Sequence, residues 1–111
     1  MAYDHLLASR IEIILKELQP PELVTKKMFG GICYLTRGNI ACGVLQDKLI
    51  IRVGKPAYLE TLAKSGTSPF DITGRPMTGW VFVKPPEFES DEELHAWVLQ
   101  GVEFALALPK K

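Results

Sequence analysis

The sequence predicts a two-layer α+β fold in which helices cover one face of a five-stranded antiparallel sheet. Three observations support this prediction: an apolar stripe at helical spacing opens the chain, alternation with a period of two fills its middle, and a capped amphipathic helix closes it. The elements follow the order α-β-β-β-α-β-β-α. No linker or repeat interrupts the 111 residues, so we expect a single domain over residues 1–111.

The first helix is predicted from Asp4 to about Leu18. Apolar residues recur there at helical spacing and form one stripe: Leu7, Ile11, Ile14 and Leu18. Pro20 ends this helix, because the residue before a proline is pushed out of the α region.

Three strands are predicted next, at Met28–Leu35, Asn39–Leu45 and Lys48–Val53, separated by turn signals at Gly38-Asn39 and Gln46-Asp47. If the first turn is centred between Arg37 and Gly38, one face of the three strands is wholly apolar. That face carries Cys33, Leu35, Ile40, Cys42, Val44, Leu49, Ile51 and Val53. The opposite face is mixed and carries Ile32, Tyr34, Ala41, Gly43, Leu45, Lys48, Ile50 and Arg52.

The second half of the chain predicts a short helix, a hairpin and a final helix. Pro56 begins the short helix, Gly66 stops it, and Leu59 is expected to face inward. The hairpin pairs Pro69–Ile72 with Trp80–Val83. Ser90 and Glu93 form the capping box of the last helix.

The two cysteines allow two interpretations. The predicted register puts Cys33 directly opposite Cys42, within reach of a disulfide, which would make the pair a redox switch. The favoured interpretation is that both are small core residues, since a buried thiol without a cationic neighbour reacts slowly. No nucleophile–base set, ligand cluster or cofactor motif is visible in the sequence, so we expect no enzymatic activity, no cofactor and no metal.

Thirteen basic residues balance thirteen acidic ones, which disfavours tight nucleic-acid binding. The apolar runs are too short to span a membrane, and the start of the chain lacks the pattern of a signal peptide, so we expect a cytoplasmic protein.

One run of residues is specific enough to indicate a family: Lys27, Met28, Phe29, Gly30 and Gly31. Its double glycine predicts a bend or bulge at the sheet edge rather than a phosphate cradle. Together with the later Gly74-Arg75-Pro76-Met77 and Gly79-Trp80 segments, it resembles the N-terminal domain of the TfoX/Sxy family of bacterial proteins linked to natural competence. The resemblance implies the element order predicted above and supplies no catalytic residues. The second, helical domain of the competence regulators has no counterpart in these 111 residues, so the resemblance is to the N-terminal domain by itself.

These observations predict a regulatory module that works by protein–protein contact, with a second copy of the chain or an unidentified protein as its partner. The expected interface lies on the mixed face of the sheet and consists of Ile32, Tyr34, Leu45, Ile50 and Arg52. One alternative is that loops and the first five residues cover this face. A second is a regulator that binds nucleic acid weakly through Lys26, Lys27 and Arg52.

Overall fold

The computed structural model describes residues 3–71 and 74–110, in which three helices lie against one antiparallel sheet of six strands. The elements are α1 (His5–Leu18), β1 (Leu23–Met28), β2 (Gly31–Thr36), β3 (Asn39–Leu45), β4 (Lys48–Arg52), α2 (Lys55–Leu62), β5 (Thr67–Pro69), β6 (Trp80–Val83) and α3 (Asp91–Ala107). A short 3₁₀ segment, Pro85–Phe88, precedes α3. The strand order across the sheet is β1-β2-β3-β4-β6-β5.

The predicted five-stranded sheet was wrong by one strand, β1. Leu23 to Lys27 are all exposed and Met28 is half-buried, so the strand shows no alternation of polar and apolar residues that a sequence pattern could reveal. The predicted strand Met28–Leu35 also started too early. Phe29 and Gly30 form the turn that joins β1 to β2.

Two elements of the second half differ from their predicted positions. β5 covers Thr67–Pro69 rather than Pro69–Ile72, and Ile72 lies outside the described residues. Leu59 was predicted to face inward but is 78% exposed, whereas Thr61 is the buried residue of α2. The capping box of α3 is confirmed, with the Ser90 hydroxyl accepting from the Glu93 amide.

A β-bulge between β2 and β3 changes which side chains share a face. The predicted register holds next to the turn, where Leu35 pairs with Ile40, but then shifts by one residue so that Tyr34 pairs with Cys42. Ala41 is the extra residue on β3. Because side chains alternate along a strand, this shift reverses the two predicted faces of β2. The predicted register between β3 and β4 is confirmed, with Gly43 opposite Ile50.

All three helices pack on the same side of the sheet, which we call the helix face. Ile32 and Tyr34 belong to this side, together with Val44, Leu49 and Ile51. Helix α3 approaches the bulge closely, since a Cβ at Gly101 would lie 2.3 Å from the carbonyl oxygen of Ala41. A glycine at this position therefore allows α3 to pack directly on the backbone of β3.

The opposite side, which we call the loop face, holds a smaller cluster. Ile50 and Phe82 are buried there under Phe70, with Met77 and Trp80 packed around them. Phe70 and Met77 belong to the segment between β5 and β6. The alternative that a loop covers this face therefore agrees with the structure around Ile50.

Both ends of the described chain lie next to the sheet. The Asp4 amide donates to the carbonyl oxygen of Gln46 at 2.7 Å, beside the β3–β4 turn. At the other end, the Lys110 ammonium pairs with Glu22, one residue before β1, at 2.6 Å. Among residues 3–71 and 74–110, no helix combines the length and apolar character that crossing a membrane requires.

Candidate functional site

The run Lys27–Gly31 contains the hairpin turn at one end of the β1–β2 pair, which we call the motif turn. Phe29 and Gly30 have φ angles of +57° and +80°, the two positive values that define a type I′ turn. For a phenylalanine this left-handed conformation costs about 1–2 kcal/mol. The Phe29 ring packs edge-on against Phe70 at a centroid distance of 5.4 Å, and this contact offsets part of the cost.

The two glycines of the run have different roles. Gly30 provides the positive φ, and a Cβ there would meet only the Leu45 side chain at an ordinary 3.9 Å. Gly31 allows β2 and β3 to approach closely at this point, because a Cβ there would lie 2.1 Å from the carbonyl oxygen of Val44 on β3. The bend predicted from the double glycine is thus present as a turn followed by a close backbone approach.

A surface cavity of about 530 Å³ adjoins this turn. The five residues of the run form one wall, and Tyr3 and His5 form the other, with their rings stacked at 4.5 Å. The run therefore lies beside the start of the chain.

The edge of the sheet next to this turn is an exposed strand. In β1, Leu23 is 40% and Val24 is 46% exposed, and Lys26 and Lys27 follow them. A two-residue hairpin makes Met28 and Gly31 a hydrogen-bonded pair, and such pairs alternate along an antiparallel ladder. The backbone N–H and C=O groups of Leu23, Thr25 and Lys27 consequently point away from β2.

Three residues of the predicted interface lie in buried positions. Ile32, Tyr34 and Ile50 are 7%, 1% and 1% exposed, so their predicted placement on an open face was wrong. The bulge turns Ile32 and Tyr34 toward the helices, and Phe70 covers Ile50. Leu45 and Arg52 remain half-buried.

Tyr34 is held by a polar contact to α1. Its hydroxyl donates to the Glu12 carboxylate at 2.8 Å. Burial, followed by this hydrogen bond and the Glu12 charge, raises the pKa of Tyr34 well above its usual range. The residue therefore joins α1 to the sheet as a neutral phenol.

Arg52 ends β4 beside two aromatic rings. Its guanidinium carbon lies 4.8 Å from the centroid of Trp80 and 5.7 Å from that of Phe104. Partial burial lowers the pKa of Arg52. This placement depends on the pairing of Arg52 with Trp80 across β4 and β6, which the sequence analysis did not predict. The only sequence signal for this pairing was that β4 and β6 are both short strands rich in apolar or aromatic residues.

The structure does not bring the three predicted nucleic-acid contacts together. Lys26 pairs with Cys33 and Lys27 with Ile32, so the two lysines project to opposite faces of the sheet. Arg52 lies three strands away from both, a lateral separation of about 14 Å. These residues do not form one continuous basic surface.

The two cysteines are free and are not opposite each other. Cys33 pairs with Gly43 and Cys42 with Tyr34, so the predicted direct pairing was wrong. The thiols project to opposite faces of the sheet, which prevents a disulfide without rearrangement of the backbone. Burial raises the pKa of Cys33 to about 11 and that of Cys42 to about 12. In the part of the chain that the structure describes, no three His, Cys, Asp or Glu side chains form a group able to hold a metal ion.

Comparison with known proteins identifies one family. The family model described as the TfoX N-terminal domain matches residues 14–105, from within α1 to near the end of α3. The match includes β1, the motif turn and the whole sheet. No curated protein and no solved structure matches the chain.

Proposed function

The chain belongs to the TfoX N-terminal domain family, a competence- and transcription-related regulatory family, and from this premise we propose that it is a cytoplasmic, non-catalytic regulatory module that works by protein–protein contact. The observation that carries the proposal is the exposed edge strand β1. The outward backbone groups of three of its residues have no hydrogen-bond partner among residues 3–71 and 74–110, and Leu23 and Val24 expose apolar surface beside them. An edge of this kind is a template for an additional strand.

The simplest occupant of this edge is β1 of a second copy. In an antiparallel pair centred on Thr25, the outward backbone groups of Leu23, Thr25 and Lys27 meet those of the other copy in register. Val24 then lies opposite Lys26, and Leu23 lies opposite Lys27, so no lysine is directly opposite another lysine. The two sheets become one continuous sheet, and symmetric dimers of this type are the commonest oligomers.

The contact is small, and this sets its strength. Two six-residue strands bury less than the roughly 1,200 Å² of a standard stable interface. The proposed dimer is therefore weak and reversible, as a regulatory contact requires. Lysines on an edge strand also limit uncontrolled pairing, which explains why Lys26 and Lys27 occupy this strand.

The experiment compares Thr25→Pro with Thr25→Ala by sedimentation equilibrium up to about 1 mM protein. Proline removes the outward N–H of residue 25 without removing a β1–β2 hydrogen bond, and edge strands tolerate it where the N–H faces solvent. Wild type and Thr25→Ala should associate as concentration rises, whereas Thr25→Pro should stay monomeric. Association that is unchanged in Thr25→Pro would contradict the proposed contact.

A pull-down with the same two variants tests a different occupant. If wild type is monomeric throughout, a protein retained by Thr25→Ala and lost by Thr25→Pro would support the regulatory module with strand addition by a partner. If neither self-association nor such a partner depends on residue 25, the proposal is wrong.

A further inference from the structure

A second cavity, of about 330 Å³, opens where β4 leads into α2. Four elements surround it: Arg52 ends β4, Pro56 lies in the first turn of α2, Trp80 begins β6, and Phe104 lies in the last turn of α3, just before Leu108. It is far from the β1 edge, at the other side of β2 and β3 in the sheet order. Its function can therefore be tested independently of any β1 contact.

Arg52 is oriented in this cavity, and its hydrogen-bonding capacity is unused. The guanidinium carbon lies 4.8 Å from the ring centroid of Trp80 and 5.7 Å from that of Phe104, and these contacts limit the rotation of the guanidinium. Within residues 3–71 and 74–110, no side-chain or backbone acceptor hydrogen-bonds to the Arg52 guanidinium, and no carboxylate pairs with it. Its planar set of N–H donors is thus available to an acceptor from outside the chain.

The charge of the cavity has one sign. Among the described residues that line it, Arg52 and Lys55 carry charge, and none is acidic. A fixed guanidinium beside a mobile ammonium suits a planar carboxylate or a phosphate, which the arginine can bind through two parallel hydrogen bonds.

The aromatic residues restrict the rest of the ligand. Trp80 contacts Arg52 and also stacks on Phe70 at 5.9 Å. The Phe104 ring packs on Gly54, where a Cβ would lie 2.2 Å from the ring. Because both rings have packing partners within the chain, they form fixed walls that limit the width of the ligand. The remaining apolar contacts of the cavity come from the aliphatic residues Pro56 and Leu108.

We propose that this cavity binds a small organic anion, a carboxylate or a phosphate monoester carried on an aliphatic body. Arg52 binds the anionic group through its N–H edge, Lys55 adds a second positive charge, and Pro56 and Leu108 contact the aliphatic part. The volume is at the low end of the roughly 300–1,000 Å³ of ligand pockets, which limits the ligand to the size of a small metabolite.

The test is a titration followed by backbone amide NMR, with hexanoate, hexyl phosphate and hexan-1-ol as probes. Saturable shifts of the Gly54 and Gly79 amides and of the Trp80 indole N–H are expected with at least one of the two anions, and not with the neutral alcohol. Saturation by hexanoate alone identifies the ligand as a carboxylate, and saturation by hexyl phosphate alone identifies it as a phosphate monoester.

Three variants assign the binding to named groups. Arg52→Lys keeps the charge but loses the two-point geometry, so affinity for the anion should fall about tenfold. Lys55→Gln should weaken binding severalfold. This residue is exposed, so the test remains valid if the Arg52 variant does not fold. The matched control is Lys64→Gln, because Lys64 also lies over an aromatic ring, Trp97, at 5.3 Å but outside this cavity.

Any of three results would overturn the proposal. The first is the absence of a saturable shift with either anion at the highest soluble concentration. The second is an equal response to hexan-1-ol. The third is unchanged affinity in both Arg52→Lys and Lys55→Gln.

Discussion

The ring of Phe29 meets the ring of Phe70 edge-on, at 5.4 Å between centroids and 78° between planes. Phe29 follows β1, one edge of the sheet, and Phe70 follows β5, the other edge. Four strands separate β1 from β5 in the sheet order, so the segment that carries Phe70 must extend back across the loop face for the two rings to touch. The contact thus closes the loop face around Ile50 and Phe82 and fixes the motif turn at the same time.

A double-mutant cycle should detect this contact as a coupling energy. Phe29→Leu and Phe70→Leu keep apolar volume but remove the ring geometry, so the free energies of unfolding should be non-additive by about 0.5–1.5 kcal/mol. Urea denaturation of the four proteins measures the coupling. Phe88 is buried on the helix face, and a cycle of Phe29→Leu with Phe88→Leu should be additive within about 0.5 kcal/mol. Additivity in the Phe29–Phe70 cycle would show that the contact does not stabilise the fold.

The glycines of the motif turn should differ in their response to alanine. Gly31→Ala should lower the free energy of unfolding by about 3 kcal/mol or prevent folding, because its Cβ would overlap the Val44 carbonyl of a neighbouring strand. Gly30→Ala should cost about 1–2 kcal/mol, the strain of a positive φ. Gly74 is the matched control for strain alone, with φ +84° and, among the described residues, no neighbouring atom within 4 Å of a Cβ. Equal losses at Gly30 and Gly31 in urea denaturation would contradict this assignment.

Sequence patterns predicted most of the fold because the helices and central strands have a buried side. The apolar stripe through Leu7 and Ile11 predicted α1, and the alternation through Leu49 and Ile51 predicted how β3 pairs with β4. The edge strand β1 has no buried side, so its pattern contained no signal.

The interface predicted on the mixed face of the sheet was misplaced for a different reason. The bulge adds a single residue, Ala41, and so changes which face of the sheet each residue of β2 occupies. In either arrangement β2 places apolar residues on both faces, because all four of its central residues are buried: Ile32, Cys33, Tyr34 and Leu35. Hydrophobicity therefore could not distinguish the two arrangements. The covering of Ile50 depends on Phe70, which is distant in sequence and belongs to the segment between β5 and β6.

Alkaline pH should destabilise the fold through its two thiols. Burial holds the pKa of Cys33 at about 11 and that of Cys42 at about 12, compared with 9.0 for an unperturbed thiol. Above pH 9 the unfolded chain loses these protons first, so the free energy of unfolding should fall as pH rises toward 11, by about 1.4 kcal/mol per pH unit for each thiol.

Urea denaturation at several pH values checks this slope. The variant with Cys33→Ala and Cys42→Ala should lose most of it, and the remainder should come from groups such as Tyr34, whose pKa burial also raises. The native thiols should also react with an aromatic disulfide reagent far more slowly than in urea. Rapid labelling of the native protein, or a slope that is unchanged in the double variant, would contradict the prediction.

The capping box of α3 should contribute measurably to stability. Ser90→Ala removes the hydroxyl that accepts from the Glu93 amide at 3.0 Å, and should lower the free energy of unfolding by about 1 kcal/mol. Ser9 lies inside α1, where its hydroxyl bonds only to the carbonyl of His5 in the preceding turn. Ser9→Ala should therefore be neutral or slightly stabilising, which makes it the control. Equal effects of the two substitutions would show that the cap is not important.

The positions of the two ends of the described chain determine how this protein can be labelled. Asp4 lies beside the Gln46 carbonyl, next to Tyr3 and His5 of the cavity at the motif turn, and the Lys110 side chain reaches Glu22, at the start of the edge strand β1. An affinity tag at the first end would crowd the motif turn, and one at the second would compete for the strand edge. A dye or biotin on a cysteine introduced at exposed Leu59 of α2 would avoid both surfaces, provided that the native thiols stay unreactive.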